Sequence, residues 1–244
     1  MKAAVKNIIQ KITPKAVSNH FYYNHPSYKK TQNGHVSFSQ EGEDMVLRRI
    51  FSNKQNGVYV DVGAHHPTLY SNTNYFYQNG WRGINIDALP GNKVNFDAQR
   101  PNDINLELLI SENEGLTEFY LFDPPLMNTM SKQQAKENEK FDWCKLKEMV
   151  MIQSIPLGKL LDQYLPGKKI DFMSVDVEGA ELTVLKSNNW GKYTPDVLLI
   201  EMIDISIEDI FNTEVHKFLK ERSYTFFAKT WNTIFYKQNG FFEF

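Results

Sequence analysis

The chain has 244 residues, of which 41% are hydrophobic and 23% are charged. These fractions are typical of globular proteins and exclude a disordered or fibrous chain. The formal net charge is −2 and acidic and basic residues are interspersed, so the chain lacks the basic surface that nucleic-acid binding requires, and we expect no nucleic-acid partner.

Cysteine content and hydropathy indicate the compartment. Cys144 is the single cysteine, so no disulfide can form within the chain, and a reducing compartment is the simple interpretation. The first ten residues lack the unbroken apolar core of a signal peptide, and no stretch has the length of a membrane-spanning helix. We therefore expect a cytoplasmic protein without a transmembrane segment.

The N-terminal segment predicts a short basic amphipathic helix that ends near Pro14. Its apolar residues recur at helical spacing; they are Val5, Ile8, Ile9 and Ile12. This face can pack on its own domain, on a second subunit in a homodimer or, through residues 1–13, on an anionic membrane surface, and packing against protein is the most common use. We interpret residues 1–37 as an extension and residues 38–244 as a domain.

Strand-like and helix-like patterns alternate along that domain. Ser39 is placed to cap a first helix that ends before Asn56-Gly57. Strands are predicted at 58–62, 83–87, 104–110, 117–122, 171–175 and 197–202, helices at 72–78, 93–99, 157–164, 180–186 and 210–221, and two further strands at the end. This order predicts an α/β, Rossmann-like fold: a mainly parallel sheet with helices on both faces and a C-terminal antiparallel hairpin. Residues 123–150 break the alternation and are interpreted as an insertion or lid.

Candidate ligand-binding residues follow the first two predicted strands, because open parallel sheets bind ligands at the carboxyl ends of their strands. The first strand ends in Asp61, Gly63 and Ala64, where small residues let the backbone approach a ligand. Asp87 ends the second strand, where a carboxylate commonly accepts hydrogen bonds from ribose hydroxyls. A single glycine replaces the G-x-G-x-x-G pattern of a pyrophosphate site, which disfavours NAD. The sequence therefore predicts a nucleoside site without a pyrophosphate.

Several segments together resemble one known family. They are Phe38-Ser-Gln-Glu-Gly-Glu-Asp44, Tyr59-Val-Asp-Val-Gly-Ala-His-His-Pro67, Ser71-Asn72-Thr73, Gly80-Trp-Arg-Gly-Ile-Asn-Ile-Asp-Ala88, Ile155-Pro156-Leu157 and Phe172-Met-Ser-Val-Asp-Val-Glu-Gly-Ala-Glu181. In order and spacing, they resemble the FkbM-like methyltransferases. The resemblance implies a class I methyltransferase fold, S-adenosylmethionine as the methyl donor and, often, a hydroxyl of a sugar or natural product as the acceptor.

The same resemblance implies roles for individual residues. Asp61, Gly63 and Asp87 are expected to contact the cofactor, and Gln40, Glu43 and Asp176 to border the cofactor or the acceptor. The full set predicted to bind the cofactor is Gln40, Glu43, Asp61, Gly63, Ala64, Asp87, Ala88 and Ser111. The acceptor predicted from the resemblance is a carbohydrate or glycan precursor, with a small natural product as the other candidate.

Methyl transfer to a hydroxyl requires alignment of the reactants and removal of the hydroxyl proton. His65 and His66 follow the first strand, and Asp176 and Glu178 follow the strand at 171–175, so these four are the predicted catalytic residues. We favour a histidine base, with one histidine facing the cleft and the other hydrogen-bonded within the protein. The alternatives are a carboxylate base and a divalent ion held by Asp176, Glu178 or Glu201.

Two other functional classes are compatible with parts of the sequence. A metal-dependent hydrolase could use Asp61, His65 and His66 as ligands, but it leaves Asp87 without a role. A binding module could keep cofactor affinity without turnover. Tryptophans could stack on sugar faces, although large aromatic residues more often belong to the core; they are Trp81, Trp143, Trp190 and Trp231.

Overall fold

The computed structural model describes residues 35–241, so the predicted N-terminal helix lies outside the described residues. The strands are β1 (Val58–Val62), β2 (Arg82–Asp87), β3 (Ile104–Glu107), β4 (Leu109–Ile110), β5 (Gly115–Asp123), β6 (Lys145–Ile155), β7 (Phe172–Val175), β8 (Val197–Glu201), β9 (Tyr224–Lys229) and β10 (Thr233–Gln238). The helices are α1 (Glu43–Ile50), α2 (Asn74–Gln78), α3 (Asn92–Gln99), α4 (Lys132–Asn138), α5 (Leu157–Tyr164), α6 (Glu181–Lys186), α7 (Ile207–Ile210) and α8 (Glu214–Lys220). A 3₁₀ turn spans Pro125–Met127.

A seven-stranded sheet in the order β3-β2-β1-β7-β8-β10-β9 forms the centre of the fold. The strands from β3 to β8 pair in parallel, and β10 runs antiparallel to both β8 and β9. This confirms the predicted Rossmann-like α/β fold with its C-terminal antiparallel hairpin. Strand order reverses between β1 and β7, so the carboxyl ends of these two strands form the switch point at which ligands bind.

Hydrophobic side chains cover both faces of this sheet, because successive residues of a strand point to opposite sides. One face carries Val60 and Val62 of β1, which pack with apolar residues of α5, α6 and α8. The other face carries Tyr59 and Phe172, which pack with residues of α1 and α2. Because both faces are covered, the sequences of these parallel strands are nearly continuous apolar runs.

Three element boundaries differ from the prediction. Gly42, and not Ser39, is the N-cap of α1; the Ser39 hydroxyl instead accepts a hydrogen bond from the Asp44 N–H (3.1 Å) in the turn before the helix. The strand predicted at 104–110 bends at Leu108, and its last two residues leave the central sheet as β4. The helix predicted at 210–221 is interrupted before Thr213, whose hydroxyl caps α8.

A second sheet, in the order β4-β6-β5, lies within the part of the chain that includes the predicted insertion. Residues 123–150 contain the 3₁₀ turn, α4 and the first half of β6, which pairs antiparallel with β5. The sequence did not predict β6, because most of its residues are exposed and no alternation of apolar and polar positions marks it. Across residues 35–241, no helix has the length and hydropathy needed to cross a membrane.

Candidate active site

A cleft opens at the switch point of the central sheet. Its inner wall consists of the ends of β1, β2 and β7, including Gly63, Asp87 and Asp176. Its outer wall comes from the second sheet and from the segment that joins β5 to β6, including Phe119 and Met130. The segment predicted to be a lid therefore lines the cleft. We refer to this space as the apolar cleft, since most of its lining is hydrophobic.

Gly63 is required by the backbone of the protein itself. Its φ angle is +83°, and a Cβ atom added to it would lie 1.6 Å from the carbonyl oxygen of Asp176. No other residue fits this position without moving the end of β1 away from the residues that follow β7. The glycine thus lets the two strand ends that build the cleft approach each other.

Asp87 has the position and the partners expected of a ribose-binding carboxylate. Its Oδ2 accepts a hydrogen bond from the His65 N–H (2.8 Å) and its Oδ1 accepts one from the Leu89 N–H (2.9 Å). Burial raises the pKa of this carboxyl, and the two N–H groups oppose that effect. Each oxygen keeps a free acceptor position. Asp87, Ala88 and the apolar wall beside them therefore suit a nucleoside, with the hydroxyls on the carboxylate and the base against hydrophobic side chains.

The structure separates the two histidines. His65 lines the apolar cleft, and burial lowers its pKa, so its imidazole is neutral near pH 7 and able to accept a proton. The His66 Nδ1 atom accepts hydrogen bonds from the N–H groups of Thr68 (3.1 Å) and Leu69 (3.0 Å). His66 thus orders the loop after β1.

Three carboxyl groups converge beside the cleft: Asp176 and Glu178 after β7, and Glu201 at the end of β8. Their oxygens lie within 4.8 Å of one another. Burial raises the pKa of Glu178 to about 9, and repulsion from Asp176 adds to the shift. Burial also raises the pKa of Glu201 to about 7, and it raises the pKa of Asp176 well above its usual range. The Oε2 atoms of Glu178 and Glu201 are buried without a hydrogen-bond partner in the described structure, so the group favours bound protons or a cation.

A second, polar cleft adjoins these three carboxyl side chains. Its lining is Gln40, Glu41, Glu43, Tyr70, Asn72, Asp176, Glu201, Asn232 and Thr233. Hydrogen bonds fix the acids at its edge: Glu41 accepts from the Asn232 N–H (2.7 Å), and Glu43 accepts from the Thr230 hydroxyl (2.5 Å). Asp176 lines both the polar and the apolar cleft.

The predicted site residues are distributed over several places. Gln40 and Glu43 lie in the polar cleft, whereas Gly63, Asp87 and Ala88 line the apolar one. Other predicted cofactor residues line neither cleft; they are Asp61, Ala64 and Ser111. Tyr70, Asn72 and Asn232 were not among the predicted site residues, because they approach Asp176 only through the fold.

Asp61 belongs to a buried polar network on the sheet face that carries Tyr59. Its Oδ2 accepts a hydrogen bond from the Thr73 hydroxyl (2.8 Å), and burial raises its pKa to about 6. Arg100 donates to Thr73 and Ser71 at 2.7 Å each. Among residues 35–241, the carboxylates and imidazoles close enough to share a metal do not include Asp61, His65 and His66. The hydrolase alternative therefore has no assembled metal site in the described structure.

Comparison with known proteins gives the family. The model of the methyltransferase FkbM domain matches residues 61–226, which include the end of β1 and all of β2, β7 and β8. The chain belongs to the FkbM methyltransferase family. It is accordingly an S-adenosylmethionine-dependent methyltransferase.

Two solved structures and the curated proteins complete the comparison. A proposed RNA methyltransferase from Pyrococcus horikoshii has 10% identity and a TM-score of 0.41, with 85% of this chain and 91% of that chain covered. An O-methyltransferase from Bacillus cereus in complex with SAH has 10% identity and a TM-score of 0.35, with 96% of each chain covered. No curated protein sequence matches the methyltransferase.

The raised pKa of Glu178 predicts that the stability of the protein depends on pH. The pKa of Glu178 is raised from 4.5 to about 9, so its contribution to stability is complete below about pH 4.5 and is lost as pH rises towards 9. Glu178→Gln should therefore melt at a higher temperature than the wild type near pH 8.5, and the difference should vanish near pH 5. Thermal unfolding with exposed Glu139→Gln as the control tests this expectation. Equal melting curves at both pH values would contradict it.

Proposed function

We propose that this FkbM methyltransferase transfers a methyl group to a hydroxyl of a carbohydrate or glycan precursor. The observation that carries the proposal is that Asp176 lines both clefts. A donor in the apolar cleft and an acceptor in the polar cleft would meet at this one carboxyl. The two clefts differ in polarity, as a nucleoside donor and a hydroxyl-rich acceptor would require.

The residues of the apolar cleft fit the cofactor. Asp87 would accept hydrogen bonds from the two ribose hydroxyls, and the hydrophobic wall that includes Leu108 and Ile110 would bury the adenine. S-adenosylmethionine, when bound, supplies an electrophilic methyl group on a cationic sulfur. The acidic side chains Asp176 and Glu178 at the other end of the cleft are suited to that positive charge.

The polar cleft favours a sugar over an apolar natural product. Its lining offers carboxylates, amides and a hydroxyl, which pair with groups that both donate and accept hydrogen bonds, as sugar hydroxyls do. An acceptor without hydroxyl groups would leave the buried Oε2 atom of Glu201 unpaired, at a cost of about 1–3 kcal/mol. Pairing of this kind is what gives a polar site its selectivity.

We propose that the pair Asp176 and Glu201 accepts the proton of the acceptor hydroxyl. Oxygens of the two carboxyls lie within 4.8 Å of each other, and the Glu201 pKa of about 7 is near the value at which a general base is most effective at neutral pH. When the acceptor oxygen takes the methyl group that S-adenosylmethionine would supply, with S-adenosylhomocysteine as the leaving group, this pair would receive the hydroxyl proton. His65, the base favoured from the sequence, is the alternative, but its backbone is hydrogen-bonded to Asp87, at the ribose end of the cleft.

We also propose a cytoplasmic location, which the free and buried Cys144 supports. A homodimer and a membrane contact through residues 1–13 remain proposals based on the sequence. A divalent ion at Asp176, Glu178 and Glu201 is a further proposal, supported by the unpartnered oxygens of the two glutamates.

The test is methyl transfer from labelled S-adenosylmethionine to methyl glycosides of glucose, galactose, mannose and N-acetylglucosamine and to their nucleotide-linked forms. We expect a product in which a methyl group replaces one hydroxyl hydrogen of the acceptor, and NMR locates that methyl group on oxygen. Parallel reactions with chelator and with added Mg²⁺ test the divalent ion. Methylation of small natural products alone, with every sugar inert, would overturn the carbohydrate assignment.

A further inference from the structure

We propose that Tyr70 and Trp231 form an aromatic subsite that stacks against the pyranose ring of the acceptor. This inference rests on the proposed function and adds the residues that orient the sugar over Asp176. Trp231 is one of the tryptophans that could stack on a sugar face, whereas Tyr70 has no predicted role. The two come from loops far apart in the chain: Tyr70 follows β1, and Trp231 joins β9 to β10.

Tyr70 is exposed within the polar cleft. It lines that cleft together with Asp176 and Glu201, and 46% of its surface is accessible. Within residues 35–241, its side chain makes no hydrogen bond or aromatic contact. Its φ angle is +55°, in the left-handed region that bulky side chains rarely occupy. Backbone strain of this kind persists where the surrounding structure enforces it, and it concentrates at ligand-binding sites.

Hydrogen bonds on both sides enforce this conformation. The N–H of Leu69 donates to the Nδ1 atom of His66 (3.0 Å), and the N–H of Ser71 donates to the carbonyl of Phe38 (2.9 Å). The Ser71 hydroxyl also accepts from the buried Arg100 guanidinium (2.7 Å). Tyr70 is therefore held between two anchored residues, with its strained backbone keeping the side chain partly exposed in the polar cleft. His66 is a positioning residue for Tyr70 in this interpretation.

Trp231 lies next to the cleft residue Asn232. The N–H of Asn232 donates to Glu41 (2.7 Å), which ties the turn to the edge of the polar cleft. Trp231 itself is 75% exposed, although a tryptophan is usually largely buried. Asn232 lines the polar cleft, so this exposed indole lies one residue along the chain from the cleft lining.

The combination matches the chemistry of a pyranose. A sugar ring has an apolar face of C–H groups and a polar edge of hydroxyls, so its recognition requires both an aromatic surface and hydrogen-bonding groups. The polar cleft supplies carboxylates and amides, and Tyr70 and Trp231 supply the aromatic surface. Trp143 provides the contrast: it is 59% exposed, but its ring stacks on Phe141 (5.3 Å) and neither of its chain neighbours lines a cleft, whereas Asn232, next to Trp231, does.

The experiment compares Tyr70→Asn, Tyr70→Phe and Trp231→Ala with the control Trp143→Ala. Asparagine tolerates the left-handed backbone and removes the ring, so loss of folding does not confuse the result. With the methyl glycosides as acceptors, we expect Tyr70→Asn and Trp231→Ala each to raise the acceptor KM by about 3- to 10-fold. Tyr70→Phe keeps the ring, so its acceptor KM should rise less than that of Tyr70→Asn. The Kd of S-adenosylhomocysteine and the melting temperature should not change in any variant.

Three outcomes are decisive. An unchanged acceptor KM in both ring-deletion variants would overturn the subsite while the methyltransferase assignment stands. An equal rise in Trp143→Ala would also overturn it, because the effect would then not be local to the cleft. If the wild-type enzyme methylates no glycoside or nucleotide sugar, the proposed function itself fails and the subsite is rejected with it.

Discussion

Asp87→Ala is expected to weaken S-adenosylhomocysteine binding by at least about 100-fold. Hydrogen bonds from hydroxyls to a carboxylate contribute about 1.5–3 kcal/mol each, so two ribose hydroxyls account for roughly 3–6 kcal/mol. Each 1.4 kcal/mol corresponds to about a tenfold change in Kd. Calorimetric titration of S-adenosylhomocysteine into the metal-stripped enzyme, with NAD as the control ligand, measures the effect.

Two further variants separate ligand binding from folding in this experiment. Asp87 also accepts hydrogen bonds from the N–H groups of His65 and Leu89, so removal of its carboxylate leaves both donors unpaired. Asp87→Asn keeps an amide oxygen for one of them and should show a smaller loss of stability with a similar loss of affinity. Glu208→Ala, an exposed acid on α7, controls for net charge. Undiminished affinity in Asp87→Ala would remove the ribose assignment.

Glu201→Gln is expected to lower kcat by about 10²–10⁴-fold, because general base catalysis contributes an acceleration of this size. A base must be unprotonated, so the wild-type kcat should rise with pH through about 7, the pKa of Glu201, and then level off. The variant should lose this rise, and so should Asp176→Asn. The Kd of S-adenosylhomocysteine should change little in either variant.

The histidine alternative is tested in the same assays. His65→Ala should reduce kcat less than Glu201→Gln if the carboxyl pair takes the proton. A larger loss in His65→Ala, with the pH rise intact in Glu201→Gln, would make His65 the base and contradict the assignment. An absolute requirement for Mg²⁺ would instead show that Asp176, Glu178 and Glu201 act by holding an ion.

The sequence by itself determined the fold class and directed attention to the strand ends where the candidate site lies. Apolar runs and helical spacing are local signals, so they predicted the order of the central strands and of helices such as α5, which begins and ends as expected. The switch-point rule directed attention to the strand ends, and Asp87 indeed lies in the apolar cleft. The family resemblance was also visible in the sequence, because it depends on the order and spacing of motifs.

Only the tertiary structure decided which side chains meet. Strands buried on both faces carry no alternating pattern, so the sequence could not show that Asp61 faces the network of Thr73 and Arg100 while neighbouring Val62 lines the cleft. The sequence could not show which histidine faces the cleft. In the structure it is His65, because backbone N–H groups donate to His66 and hold it in the loop after β1. Glu201, Tyr70 and Asn232 come from three distant strand ends or loops, and their convergence on Asp176 follows from strand order, which is a long-range property of the chain.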